Sequence, residues 1–96
     1  MMCDHQTRLR IRVAVAAYAY EMMDDPIMSD ATYDTLARQI DPRKPTCNLL
    51  MDRFFRAHFS PHTGSWVRQH PDLAGLHRVY LLVREGSQPG RSANSV

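Results

Sequence analysis

Residues 6–24, QTRLRIRVAVAAYAYEMMD, carry two overlapping hydrophobic patterns. Leu9, Ile11, Val13 and Val15 alternate with Arg10, Arg12 and Ala14, which is the period of a half-buried strand. The same stretch places Leu9, Val13, Ala16, Ala17 and Tyr20 on one helical face. Its four alanines and the Glu21-Met22-Met23 end have high helix propensity. No second alternating segment offers a pairing partner, so the reading is a helix. Asp24-Asp25-Pro26 ends it, because proline restricts the residue before it and lacks an amide donor.

Ser29 or Asp30 then caps a second helix, whose stripe is Tyr33, Leu36, Ala37 and Ile40. The prolines of DPRKP stop that helix. Thr46 is the expected cap of a third helix, with Leu49, Leu50, Phe54 and Phe55 as its core face. SPHTGS is a loop and SWVRQH a short helical turn. Pro71 and Asp72 suit the first turn of a fourth helix burying Leu73, Leu76, Val79, Tyr80 and Val83. Residues 86–96, GSQPGRSANSV, have the composition of a disordered tail. The expected fold is all-α: a small bundle of about four helices over 1–85, opening with a helical hairpin, and no internal repeat.

Ninety-six residues bury a thin core, which self-association into a homodimer could supplement. A net charge of +2 is too slight to argue for nucleic acid. Arg53 and Arg56, three apart on one helix, could hold phosphates or form a solvated face, and the case for nucleic acid is weak. Cys3 and Cys47 form no C-x-x-C, so they read as two free thiols in a reducing compartment. No apolar run reaches about 18 residues, and the start does not read as a signal peptide, so the expected location is the cytoplasm.

The order A-Y-x-Y-E-M-M-D-D-P-x-x-S-D-A-x-Y-D-x-L, from Ala17 to Leu36, resembles the N-terminal helical subdomain of bacterial NAD-dependent DNA ligases. In that family the helix pair closes over the nicotinamide mononucleotide half of NAD. The resemblance implies ligand contacts at Tyr20, Glu21, Asp30, Tyr33 and Asp34. Glu21 departs from the pattern, since the family has an aromatic or imidazole ring there.

The ligase reaction itself needs a lysine nucleophile in K-x-D-G on a large separate domain. The sole lysine here is Lys44, in RKPT, so adenylate transfer is excluded and no enzyme is expected. The later segment HFSPHTGSWVRQHP is similar to stretches in small phage proteins that carry the same hairpin motif. That similarity implies a stand-alone phage or prophage module acting in the host cytoplasm.

Two readings of the hairpin stay open. Tyr20 and Tyr33 could form a slot for a planar ring, with Asp30 and Asp34 accepting ribose hydroxyls. The same residues could be a helix cap, core aromatics and a solvated carboxylate. The first reading makes the chain a binding module for a nicotinamide- or ADP-ribose-type nucleotide. No covalent cofactor is expected. The second makes it a partner of a host protein, with the hairpin as scaffold and an exposed patch around Phe59 and Trp66. Otherwise Trp66 anchors its loop on the bundle. His58, His62, His70 and His77, with Cys47, match no standard zinc spacing. No nucleophile with a base and no glycine-rich phosphate loop is present.

Overall fold

The computed structural model describes residues 2–86. From residue 87 onward the expected tail lies outside the described residues. Within them the chain forms helices α1 (Met2–Met23), α2 (Asp30–Arg38), α3 (Leu49–His58) and α4 (Leu73–Gly86), with a 3₁₀ turn at Ser65–Gln69 before α4. No strand occurs among the described residues. The all-α bundle read from the sequence is the observed architecture.

The mixed periodicity of α1 has a simple origin: every side chain from Val13 to Ala19 is buried. A helix apolar all round is one packed on all sides. Its neighbours are α4, the 3₁₀ turn and α2. Full burial of each valine stabilises the fold by about 1.5–3 kcal/mol. The four alanines, Ala14, Ala16, Ala17 and Ala19, let neighbouring backbones come close. Tyr20 was expected on the buried stripe, yet it is 57% exposed, and Tyr18 takes the inward position. The Tyr18 ring lies edge-on to both His77 and Tyr80, and its hydroxyl is 2.9 Å from His77 Nδ1.

α2 returns antiparallel to α1. At one end Gln6 Nε2 donates to the Gln39 carbonyl, and Gln6 Oε1 accepts from the Asp41 amide. The turn between the helices needs a left-handed residue, supplied by Asp24 at φ 52°. Aspartate tolerates this region better than most residues. The Asp25 amide then wraps back to the Ala19 carbonyl. Ser29, rather than Asp30, is the cap, its Oγ accepting from the Thr32 amide. α4 runs in the same direction as α1. Near their C-terminal ends, Tyr80 Oη and Arg84 Nε both donate to Asp25 Oδ2, at 2.6 and 2.7 Å.

Arg10 is 3% exposed and joins three parts of the chain. Nη1 donates to Asp52 Oδ1, and Nη2 to the carbonyls of Asp41 and Lys44. Its Nε has no acceptor, but the guanidinium sits 5.2 Å from the centre of the Phe55 ring, a cation–π contact. Asp52 also accepts from the amide and hydroxyl of Thr46.

This pairing corrects three expectations. Thr46 serves Asp52, so Asn48 caps α3 by accepting from the Met51 amide. Holding Asp52 inward fixes the rotation of α3, with Phe54 and Phe55 buried beside it. Leu49 and Leu50, expected in the core, therefore point outward at 72% and 61% exposure. On α4, Val83 is likewise exposed rather than buried, and the helix starts at Leu73 rather than Pro71.

Cys47 is disulfide-bonded, which overturns its reading as a free thiol. Spacing rules look for short-range motifs, whereas here the fold carries the 39–44 segment back to the start of α1. The side chain of Cys3 lies outside the described set.

Two outcomes test the Arg10 junction. Asp52→Ala should lower unfolding free energy by about 3–5 kcal/mol in urea titrations, since it strands a buried charge. Arg10→Met with Asp52→Leu should recover most of that loss. Acid should act on the same group. Burial opposes ionisation of Asp52, but the bonds from Thr46 and Arg10 outweigh it and hold the carboxyl below its ordinary value. A depressed carboxyl stabilises the fold above its unfolded pKa, so this contribution should fade as pH falls below about 4. Melting curves from pH 6 to pH 2 should show a drop there that is smaller in the double variant, where the lowered Asp25 carboxyl remains.

Candidate functional site

Past α3 the chain folds over α1 as an aromatic knot. Trp66 is buried against Phe54, Phe55 and Phe59, with ring centres 5.0–5.9 Å apart. Its burial places it in the core and leaves no exposed anchor at that position. The knot pins the loop Ser60–Gly64 across the C-terminal third of α1. A methyl group at Gly64 would lie 3.4 Å from Ala17 Cβ and from Glu21 Cγ. A Cβ there would sit in ordinary van der Waals contact, so the loop backbone runs close to the helix.

This crossing leaves a cavity of about 420 Å³ between α1, the Pro26–Met28 turn, the start of α2 and the loop. Tyr20, Asp30, Tyr33 and Asp34 all line it. Four of the five residues singled out in the sequence therefore share one wall system. Ala16, Ala17, Pro26, Ile27 and Met28 give it an apolar floor, and Pro61, His62, Thr63 and Gly64 close the far side.

Each polar side chain is held differently. Tyr33 is half-buried and reaches the Thr63 carbonyl at 3.4 Å. Burial raises its phenol pKa. The Trp66 N–H opposes this, while the Glu21 charge adds to the rise. Trp66 Nε1 is close enough to act on the phenol electrostatically, but no acceptor meets it in hydrogen-bond geometry. Tyr33 therefore stays neutral and able to donate at physiological pH. Asp34 pairs with Arg38 one helical turn on, at 3.2 Å, in an exposed contact of little strength. The Asp30 carboxylate and the Tyr20 hydroxyl make no hydrogen bond among the described residues. Both are open to a ligand.

Glu21 is the exception. It lies outside the cavity wall. Arg68, on the 3₁₀ turn, donates to the Glu21 carbonyl at 3.1 Å and meets its carboxylate at 3.5 Å. In this chain the residue clasps the 3₁₀ turn to α1. Tyr20 and Tyr33 share the cavity without stacking on each other. Local pattern does not show the loop wall, since SPHTGS reads only as a loop.

A second cavity, of about 360 Å³, opens between α1, α3 and the start of α4, lined in part by Ile11, Met51, Phe55, Leu76 and Val79. Among the described residues no cluster of three metal-binding side chains occurs, and no helix is long and apolar enough to cross a membrane. No family model, curated protein or solved structure matches the chain.

Glu21→Ala should therefore leave the cavity intact. Because the Glu21–Arg68 pair is half-exposed, we expect a stability loss of at most about 1 kcal/mol in urea titrations. Any nucleotide affinity should change less than threefold, which titration calorimetry would read.

Proposed function

We propose that this chain is a non-catalytic binding module for a nicotinamide- or ADP-ribose-type nucleotide, taken up in the cavity between α1, α2 and the 60–64 loop. The observation that carries the reading is the convergence of Tyr20, Asp30, Tyr33 and Asp34 on one cavity of about 420 Å³. That volume lies in the range of small-molecule sites. An apolar floor with a few converging polar groups is the composition such sites have. A planar ring would lie on the floor beside the two phenols. Ribose hydroxyls would donate to Asp30 and Asp34, whose oxygens are pure acceptors. The resemblance of residues 17–36 to the nicotinamide-binding hairpin of the ligases supports the same ligand class. Glu21, the one mismatch with that pattern, lies off the cavity wall with its carboxylate 3.5 Å from Arg68.

The alternative of a docking scaffold draws no support from Trp66, which is buried.

Thermal melting with nicotinamide mononucleotide, NAD, ADP-ribose and ATP tests the proposal. A ligand at 100 times its dissociation constant stabilises by about 2.7 kcal/mol. We expect a raised melting temperature with nicotinamide mononucleotide or NAD. The rise should vanish in a folded Tyr33→Ala, Asp34→Ala variant. No shift with any of the four would overturn the reading.

A further inference from the structure

The cavity between α1, α3 and the start of α4 shares no residue with the hairpin cavity. Its volume of about 360 Å³ lies within the range of small-molecule sites. Ile11, Ala14, Met51, Phe55, Leu76 and Val79 give it an apolar floor drawn from three helices.

The acceptors on its wall are largely used by the fold. Asp72 is the one carboxylate there, and its Oδ1 accepts from the Gly75 amide. That places its charge at the N-terminus of α4, where the helix dipole offsets it. Asn48 Oδ1 accepts from the Met51 amide, and the Thr46 hydroxyl accepts from the Asn48 amide while donating to Asp52. His70 Nδ1 accepts from the Asp72 amide. Burial lowers the His70 pKa more than Asp72 raises it, so the ring is neutral at about pH 7 and its proton lies on Nε2.

What remains is mostly donors. Asn48 Nδ2, His70 Nε2 and the exposed Arg78 guanidinium meet no partner among the described residues. The Thr7 hydroxyl is unpartnered too and can donate or accept. Arg10 is balanced by Asp52, and its one unpaired atom, the buried Nε, is again a donor. Arg78 is therefore the uncompensated charge on the wall. An apolar floor with spare donors and one spare cation complements an apolar body with an acceptor-only anionic head. A single cation suits a single charge, and Asp72 disfavours a dianion.

We infer that this cavity binds an apolar monocarboxylate, such as a medium-chain fatty acid. The hydrocarbon lies on the floor between Ile11 and Val79, and Arg78 holds the carboxylate. Each methylene buried on that floor tightens binding by about fourfold. The ion pair, being exposed, adds up to about fivefold.

Titration calorimetry with hexanoate, octanoate, 1-octanol and octylammonium, each below its micelle concentration, tests the inference. Octanoate should bind about tenfold tighter than hexanoate, and tighter than octylammonium. Arg78→Gln changes an exposed residue with no partner in the fold. It should weaken octanoate about fivefold and leave 1-octanol within about twofold. Methyl resonances of Ile11 and Met51 should shift with octanoate, while those of Ile27 and Met28 in the hairpin cavity stay in place. Octylammonium binding as tightly as octanoate, or an octanoate affinity unchanged in Arg78→Gln, would overturn the inference. So would no binding of octanoate, or shifts confined to Ile27 and Met28.

Discussion

The fold is organised by one buried ion pair. Arg10, deep in α1, is surrounded by the carboxylate of Asp52, the carbonyls of Asp41 and Lys44, and the face of Phe55. A charge removed from water is tolerated only when so fully partnered. Those partners come from the end of the hairpin, the linker and α3, so satisfying one guanidinium fixes three segments against α1. With hydrophobic burial alone, α3 could turn its Leu49–Leu50 side inward. Asp52 sets the opposite rotation, and the two leucines face out.

That rotation reaches the candidate site. With Phe54 and Phe55 turned inward, α3 ends where Phe59 and Trp66 can pack on them. The Ser60–Gly64 loop is then drawn across α1, close to Ala17. The loop supplies the third wall of the cavity. A hairpin alone would offer two tyrosines and two carboxylates on an open surface. The same residues become a pocket because the aromatic knot closes one side. At the far end of α1, Asp25 gathers Tyr80 and Arg84. Their hydrogen bonds hold its carboxyl below the ordinary value, and the partnership raises the Tyr80 phenol. This clamp sets the start of the turn that leads into Pro26–Met28, the cavity's apolar edge.

Glu21 shows how neighbours on one helix serve different partners. It sits next to Tyr20 in sequence, but one residue is a rotation of about 100° on a helix. Tyr20 faces the cavity while Glu21 faces the 3₁₀ turn, where Arg68 holds it.

Local rules determined much of this protein. Proline and aspartate placed the breaks, serine the cap of α2, and apolar spacing the four helices, because each is settled within a turn or two of chain. The spacing of Asp30, Tyr33 and Asp34 placed them near one another for the same reason. Other features depended on tertiary contacts, most of them between residues 30 to 60 apart in sequence. Tyr20 and Tyr18 are equally apolar by composition, and only the packing of α4 decided which went inward. Leu49 and Leu50 look like core until Arg10 claims Asp52. Thr46 looks like a cap until the same carboxylate takes its hydroxyl. Cys47 looks like a free thiol until the chain doubles back on α1. The cavity itself belongs to this second class: Tyr20, Asp30, Tyr33 and Asp34 were legible along the hairpin, whereas His62 and Thr63 join their wall only through a loop thirty residues away, since a buried charge and a cluster of rings can be satisfied only by groups brought from elsewhere in the chain.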